Sequence, residues 1–285
     1  MKMVAPPLKL SAQECRFLAE RAFAFAGVQI DPRNQDFFQL RVSRRLRMLG
    51  MDNFDDYMSL LESDGTGNET RCLTEALTTH TTSFFRECHQ YEWLQKEGLQ
   101  RLSASGAGFE RPLVVWSAAC STGAELWSAA MILEDAARAR GGLRKYQLIG
   151  TDISRPVLKK AAGATYKEIE IDGLGDAHRC RYLMRSTTAT DLEKRPYYRI
   201  VPELRQHAEF KWANLSNLSG FQDCAADVVF LRNVLIYFSE EVQQRALNGV
   251  IDRMRQGGIL MTGHAEVVSP RPSLRMIRPS IYEKV

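Results

Sequence analysis

No apolar run in the chain approaches the roughly 18 residues that a membrane-spanning helix needs. Met1–Leu10 carries Lys2 and Lys9 but lacks the apolar stretch of a secretion signal. A cytoplasmic protein that does not insert into membranes is therefore expected. The 6 cysteines form no C-x-x-C pair and no Cys/His metal spacing, so scattered thiols in a reducing compartment and no metal site are expected. A net charge of +4 is too mild to require nucleic acid. Neither G-x-G-x-x-G nor G-x-x-x-x-G-K-[ST] is present, which excludes the usual dinucleotide and P-loop phosphate cradles. What remains is ample apolar material: 285 residues at 45% hydrophobic content can bury a sizeable core, in one medium and one small domain.

The most informative stretch is Val114–Met131. Leu113-Val114-Val115-Trp116 has the pattern of a buried strand, Ser117 to Gly123 are small or hydroxylated, and a helix of small and apolar residues opens at Ala124. Such a turn can bring backbone N–H groups and a helix N-terminus to a polar ligand. Tight strand–helix packing explains it equally well. Cys120 within it is either a nucleophile or a small buried side chain. Downstream, Tyr146–Asp152 has the pattern of a second strand that ends in an acid. That acid could accept hydrogen bonds from ribose hydroxyls, or it could cap a helix with Ser154 ahead of Pro156.

Upstream, Ser11-Ala12-Gln13-Glu14 is a capping box for a helix over Ala12–Ala26. Asp31-Pro32 predicts the start of a second helix, with Phe38, Val42, Leu46 and Leu49 on one face and Gly50 closing it. Its other face carries Arg41, Arg44, Arg45 and Arg47, either a solvated surface or a match for an acidic partner. Asp52 or Asn53 caps a third helix to Leu61, and a fourth starts near Glu69. Residues 1–70 thus form an all-helical domain, and 71–285 the second. Thr79–Arg86 places hydroxyls and a histidine before two aromatics and an arginine. The Phe pair suits a core, whereas Arg86 beside it wants an anionic partner. Residues 166–207 interrupt the strand–helix alternation with short strands at Tyr182–Met184 and Tyr197–Val201, an inserted antiparallel subdomain. The main sheet resumes at Ala208–Trp212 and Asp227–Leu231. A helix over Val242–Arg255, a strand over Ile259–Thr262 and a closing hairpin in Leu274–Val285 complete it. Arg232-Asn233 at a strand end, with Tyr237 beyond, lies where open α/β sheets bind ligands.

Several segments together resemble one family, the chemotaxis receptor methyltransferases of the CheR type. THTTSFFRE resembles T-N-x-T-x-F-F-R, and WSAACSTGAELWSAAM resembles W-S-A-A-C-S-T-G-E-E-P-Y-S-[IL]-A-M. IGTDISRPVLKKAAGATY, WANL, VVFLRNVLIYF and GGILMTGHAE follow in the family order, so the likeness runs from about Leu10 to the C-terminus. It implies a doubly wound α/β methyltransferase domain with an inserted antiparallel β-subdomain, preceded by an all-helical domain. The implied activity is S-adenosylmethionine-dependent methylation of glutamate side chains on chemoreceptors. By motif, His80, Thr82, Arg86, Glu125, Asp152, Asn214, Leu215, Arg232 and Asn233 would line the cofactor pocket, with Asp152 on the ribose. Arg86 and Tyr237 would face the reacting carboxylate. Arg41, Arg44 and Arg45 would lie against the receptor's methylation helix. A monomer that does not bind nucleic acid is expected.

The departures from the family pattern are His80 for Asn, Ala124 for the first of two glutamates, and Leu126-Trp127 for Pro-Tyr. An imidazole can still make one hydrogen bond there, but it is bulkier and titratable. A retuned, active enzyme is expected. The loop Ser186–Pro196 looks longer than in members that grip a receptor's C-terminal pentapeptide, which argues against that tether. Two rival classes bear on the same residues. A nucleic-acid methyltransferase would set the arginine helix on phosphates, but an aromatic platform is missing. A non-catalytic binding module would account for His80 and Ala124.

Overall fold

The structure is a computed structural model that describes residues 9–139, 142–187 and 195–285. The chain divides into two compact units. The first comprises the N-terminal residues up to Thr79 together with Tyr237–Gln243; the second holds the rest. No helix among the described residues is long and apolar enough to cross a membrane.

In the first unit, α1 (Ala12–Ala26) starts with the expected capping box: Ser11 accepts from the Glu14 N–H, and the Glu14 carboxylate accepts from the Ser11 N–H. α2 (Gln35–Leu49) begins later than its sequence suggests. Asp31 accepts from both the backbone and the guanidinium of Arg33, closing a local turn. Asn34 therefore becomes the N-cap, accepting from the Phe37 N–H at 3.2 Å. α3 (Phe54–Glu62) is capped by Asn53, and α4 (Asn68–Leu77) carries the unit past the boundary expected at residue 70. Phe38, Val42 and Leu46 of α2 pack with Leu18, Tyr57, Leu61 and Leu73, whereas Leu49 is exposed. Burial of each such side chain contributes about 1.5–3 kcal/mol.

The second unit opens with α5 (Cys88–Trp93), a π-helical turn over Leu94–Gly98 and α6 (Leu99–Ser103). Strand β1 (Leu113–Ala118) then leads into α7 (Ala124–Arg138), and β2 (Tyr146–Asp152) into α8 (Arg155–Gly163). The insert contributes β3 (Thr165–Lys167), α9 (Asp176–Tyr182), β4 (Leu183–Arg185) and β5 (Tyr197–Ile200), paired antiparallel in the order β3-β5-β4. Tyr182 thus ends a helix rather than opening a strand. Of the insert loop, on which the pentapeptide expectation rests, residues 188–194 lie outside the described residues.

After α10 (Pro202–Arg205) come β6 (Ala208–Trp212), β7 (Ala226–Leu231), α11 (Glu240–Asp252), β8 (Met254–Thr262), β9 (Leu274–Arg278) and β10 (Ile281–Lys284). They complete a seven-stranded sheet ordered β6-β2-β1-β7-β8-β10-β9. The first five are parallel, and the hairpin β9-β10 closes the edge antiparallel. β8 starts before the Gly257-Gly258 pair, which sits inside the strand, so α11 ends sooner than expected. β1 and β7 are buried along their whole length, which is why both read as near-continuous apolar runs.

Candidate active site

The parallel strands β1, β2, β6 and β7 all end on one edge of the sheet, where open α/β sheets take ligands. After β1 the chain turns sharply: Ala119, Ser121 and Gly123 all have positive φ, at 78°, 51° and 88°. The N–H groups of Ala119 and Cys120 both donate to the Thr151 carbonyl at 2.8 Å, which ties the turn to the tip of β2. Asp152 at that tip is held by two backbone N–H groups. One carboxylate oxygen accepts from the Ser154 N–H at 2.9 Å, closing a local turn ahead of α8, and the other accepts from the Ser121 N–H at 2.8 Å. A carboxylate offers about four lone-pair positions, so acceptor capacity remains for a ligand diol. Burial raises the Asp152 pKa; the Ser154 N–H, His80 and the Ser121 N–H pull against it.

Cys120 is fully buried, and burial, with the Asp152 and Glu125 charges, pushes its thiol well above the usual range. It is a packed side chain and not a nucleophile. His80 stands beside the same turn, where its carbonyl accepts from the Ser121 hydroxyl at 2.8 Å. Thr82 is half-buried in the same segment. Arg86 is half-exposed and reaches back to the Thr81 carbonyl at 3.3 Å.

Arg232, expected to line the pocket, is buried in a web of charges. Its guanidinium contacts Glu125 at 3.3 Å and Glu87 at 3.2 Å, donates to the Tyr91 hydroxyl at 3.3 Å, and donates to the Arg86 carbonyl. Glu125 also accepts from the Ser117 hydroxyl at 2.7 Å. Its pKa is raised by burial, against the pull of Arg232 and Ser117. Burial alone would lower the Arg232 pKa, but Glu125, Tyr91 and Glu87 outweigh it and raise it. This ion pair supports the floor under the β1 turn.

Asn214 is nine-tenths buried and accepts from the Ser216 N–H and hydroxyl at 3.0 and 2.8 Å; Leu215 is buried next to it. Asn233 adopts a left-handed φ of 55°. Sequence reasoning missed the group that holds it there. Glu266 accepts from the N–H groups of Asn233, Val234, Leu235 and Gly263 at 2.6–2.8 Å, fixing the loop beyond β7. Glu87, Tyr91 and His264 were missed as well, although Glu87 directly follows Arg86 and His264 lies in the GHAE motif.

The remaining candidates lie in the first unit. Tyr237 is half-buried there, its carbonyl accepting from the Gln29 N–H at 2.7 Å. Arg41 sits over the Phe37 ring at 5.3 Å, and Arg44 is exposed. Arg45 differs from the receptor contact that its position suggested. Its guanidinium is bidentate on Glu69, at 2.8 and 2.6 Å, and Glu69 also accepts from the Tyr57 hydroxyl. It braces α2 against α4.

Residues 80–280 match the family described as "CheR methyltransferase, SAM binding domain", and residues 13–78 match "CheR methyltransferase, all-alpha domain". The chain belongs to the CheR methyltransferase family. It is an S-adenosylmethionine-dependent methyltransferase, with the fold that the motifs implied. Among its curated relatives is the chemotaxis protein methyltransferase of Klebsiella aerogenes, 32% identical over 93% of this chain and 87% of that protein. Those of Salmonella typhimurium and Escherichia coli are each 33% identical over 91% of this chain, covering 85% and 86% of their own lengths. This CheR-family chain matches its relatives across both units.

Proposed function

We propose that Arg86 handles the methyl acceptor of this CheR-family enzyme, while Asp152, His80, Thr82, Asn214, Leu215 and Asn233 hold the cofactor against the β1 turn. Glu125 and Arg232 support that floor through their ion pair. The reaction is methyl transfer from S-adenosylmethionine to glutamate carboxylates of chemoreceptors, giving methyl esters and S-adenosylhomocysteine, the adaptation step of chemotaxis. The enzyme acts in the cytoplasm as a monomer and does not engage nucleic acid. The observation that carries the assignment of the site is Asp152, held by two backbone N–H groups at the strand tip with acceptor capacity to spare.

Bound S-adenosylmethionine supplies a methyl group on a positively charged sulfur. A glutamate side chain, with an unperturbed pKa of about 4.3, is already ionised at neutral pH, so no residue here need act as general base. The work left to the protein is orientation. Arg86 can hold one carboxylate oxygen while the other is left to attack. Arg86 must not bind too tightly, because the carboxylate loses charge in the transition state. Residues that exclude water favour the step for the same reason.

The test is transfer of radiolabelled methyl to a chemoreceptor signalling domain. Label released as methanol by mild base establishes a glutamate ester; base-stable label would overturn the carboxylate assignment. Calorimetry with S-adenosylhomocysteine on Asp152→Ala should show binding weakened by at least about tenfold, the loss expected for two ribose hydrogen bonds.

A further inference from the structure

The backbone that presents Arg86 is unusual on both sides of it. Phe85 and Glu87 have left-handed φ values of 50° and 57°, a conformation that persists only where surroundings enforce it. On the upstream side, the Phe85 N–H donates to the Ser128 hydroxyl at 2.9 Å, and its ring stacks on His178 at 5.0 Å. On the downstream side, enforcement comes from the Glu87 carboxylate, whose side chain is 9% exposed. One oxygen lies 2.9 Å from His264 Nδ1, and the other lies 3.2 Å from Arg232 Nη2. That same Nη2 donates to the Arg86 carbonyl.

Resting on the assignment of Arg86 to the acceptor carboxylate, we propose that Glu87 is a positioning residue for methyl transfer. It shares Arg232 with Glu125 and so keeps that guanidinium on the Arg86 carbonyl, which fixes the backbone from which the Arg86 side chain reaches. The charge balance explains why a carboxylate is needed. Arg232 stands between two acids, Glu87 and Glu125, with Tyr91 as a neutral third contact. With Glu87 neutral, Arg232 is drawn to Glu125 and the β1 turn, and its hold on the Arg86 carbonyl loosens. His264, largely exposed, closes the outer end of the clamp. Within Glu87 the balance favours ionisation: burial raises its pKa, but the His264 hydrogen bond and the Arg232 charge together hold it below the usual carboxylate value.

The experiment is a double-mutant cycle on receptor methylation, with S-adenosylhomocysteine affinity measured by calorimetry on each variant. Glu87→Gln keeps the shape and removes the charge. It should lower kcat about tenfold while the KM for S-adenosylmethionine and the product affinity stay within about twofold. Glu87→Asp should recover part of the loss. Arg86→Lys, which forfeits the planar fork, should also lower kcat about tenfold. In the Arg86→Lys background, Glu87→Gln should cost less than about twofold more, because the group it positions is gone. His264→Ala should lower kcat about threefold with the unfolding midpoint unchanged, a variant that does not depend on tolerance of Glu87→Gln. Equal losses from Glu87→Gln in both backgrounds would overturn the positioning role alone, as would a loss confined to product affinity. If Arg86→Lys leaves kcat unaltered, the assignment of Arg86 fails instead.

Discussion

Burial drives the Asp152 carboxyl above its ordinary range, and that gives the site a pH signature of known sign. A carboxyl raised in the fold contributes stability that is present below its unfolded pKa of about 3.9 and lost as pH rises through the folded value. With Asp152 on the ribose, as proposed, cofactor affinity runs the other way, because only the ionised form keeps every lone pair for the hydroxyls. Affinity for S-adenosylhomocysteine should therefore fall up to about tenfold per pH unit below the raised pKa. Titration calorimetry carried from neutral pH into the acid range checks this, and Asp152→Asn should flatten the acid limb. Arg86 carries a separate expectation. Arg86→Ala should lower methyl transfer by about a hundredfold, the scale of losing one electrostatic anchor, while leaving product binding measurable. Transfer at an unchanged rate would remove Arg86 from the chemistry.

At the scale of elements, the turn after β1 depends on Gly123. Its φ of 88° suits glycine, and an added Cβ would stand 2.9 Å from the Ala161 Cβ and 3.2 Å from its Cα on α8. Gly123→Ala should cost about 1–3 kcal/mol in denaturant unfolding and weaken cofactor binding with it. This turn was legible in the sequence because small residues between an apolar run and a helix leave few alternatives. The parallel strands were legible for a related reason: burial on both faces writes itself as unbroken Val, Leu and Phe. What escaped was set by distance along the chain. Asn34 displaced Asp31 as the cap only because Arg33 captures that carboxylate. Arg45 finds Glu69 24 positions away, and Glu87 finds His264 177 positions away. No local pattern announces such pairs. The β8 start was misjudged because a glycine pair reads as a turn, yet these glycines sit inside the strand.

For the whole molecule, the arginines of α2 separate two roles that their spacing alone could not. Arg45 is 17% exposed and locked to Glu69, so Arg45→Ala strands a buried carboxylate. It should destabilise the helical unit by about 3 kcal/mol, read as an earlier unfolding transition. Arg44 is exposed between Leu40 and Met48, themselves 67% and 72% exposed one turn to either side. That combination of exposed cation and exposed apolar surface suits an acidic amphipathic helix such as a receptor methylation segment would present. The paired charge reversals Arg41→Glu and Arg44→Glu should then lower kcat/KM for the receptor about tenfold at low salt, with S-adenosylhomocysteine affinity and the unfolding midpoint unchanged. Salt dependence decides between this and a generic surface. Exposed charges are screened over about 8 Å at physiological ionic strength, so wild-type methylation should slow as salt rises, and the doubly reversed variant should lose most of that slope. If the variant keeps the wild-type slope and rate, the basic face of α2 is a solvated surface, and receptor recognition lies elsewhere on the chain.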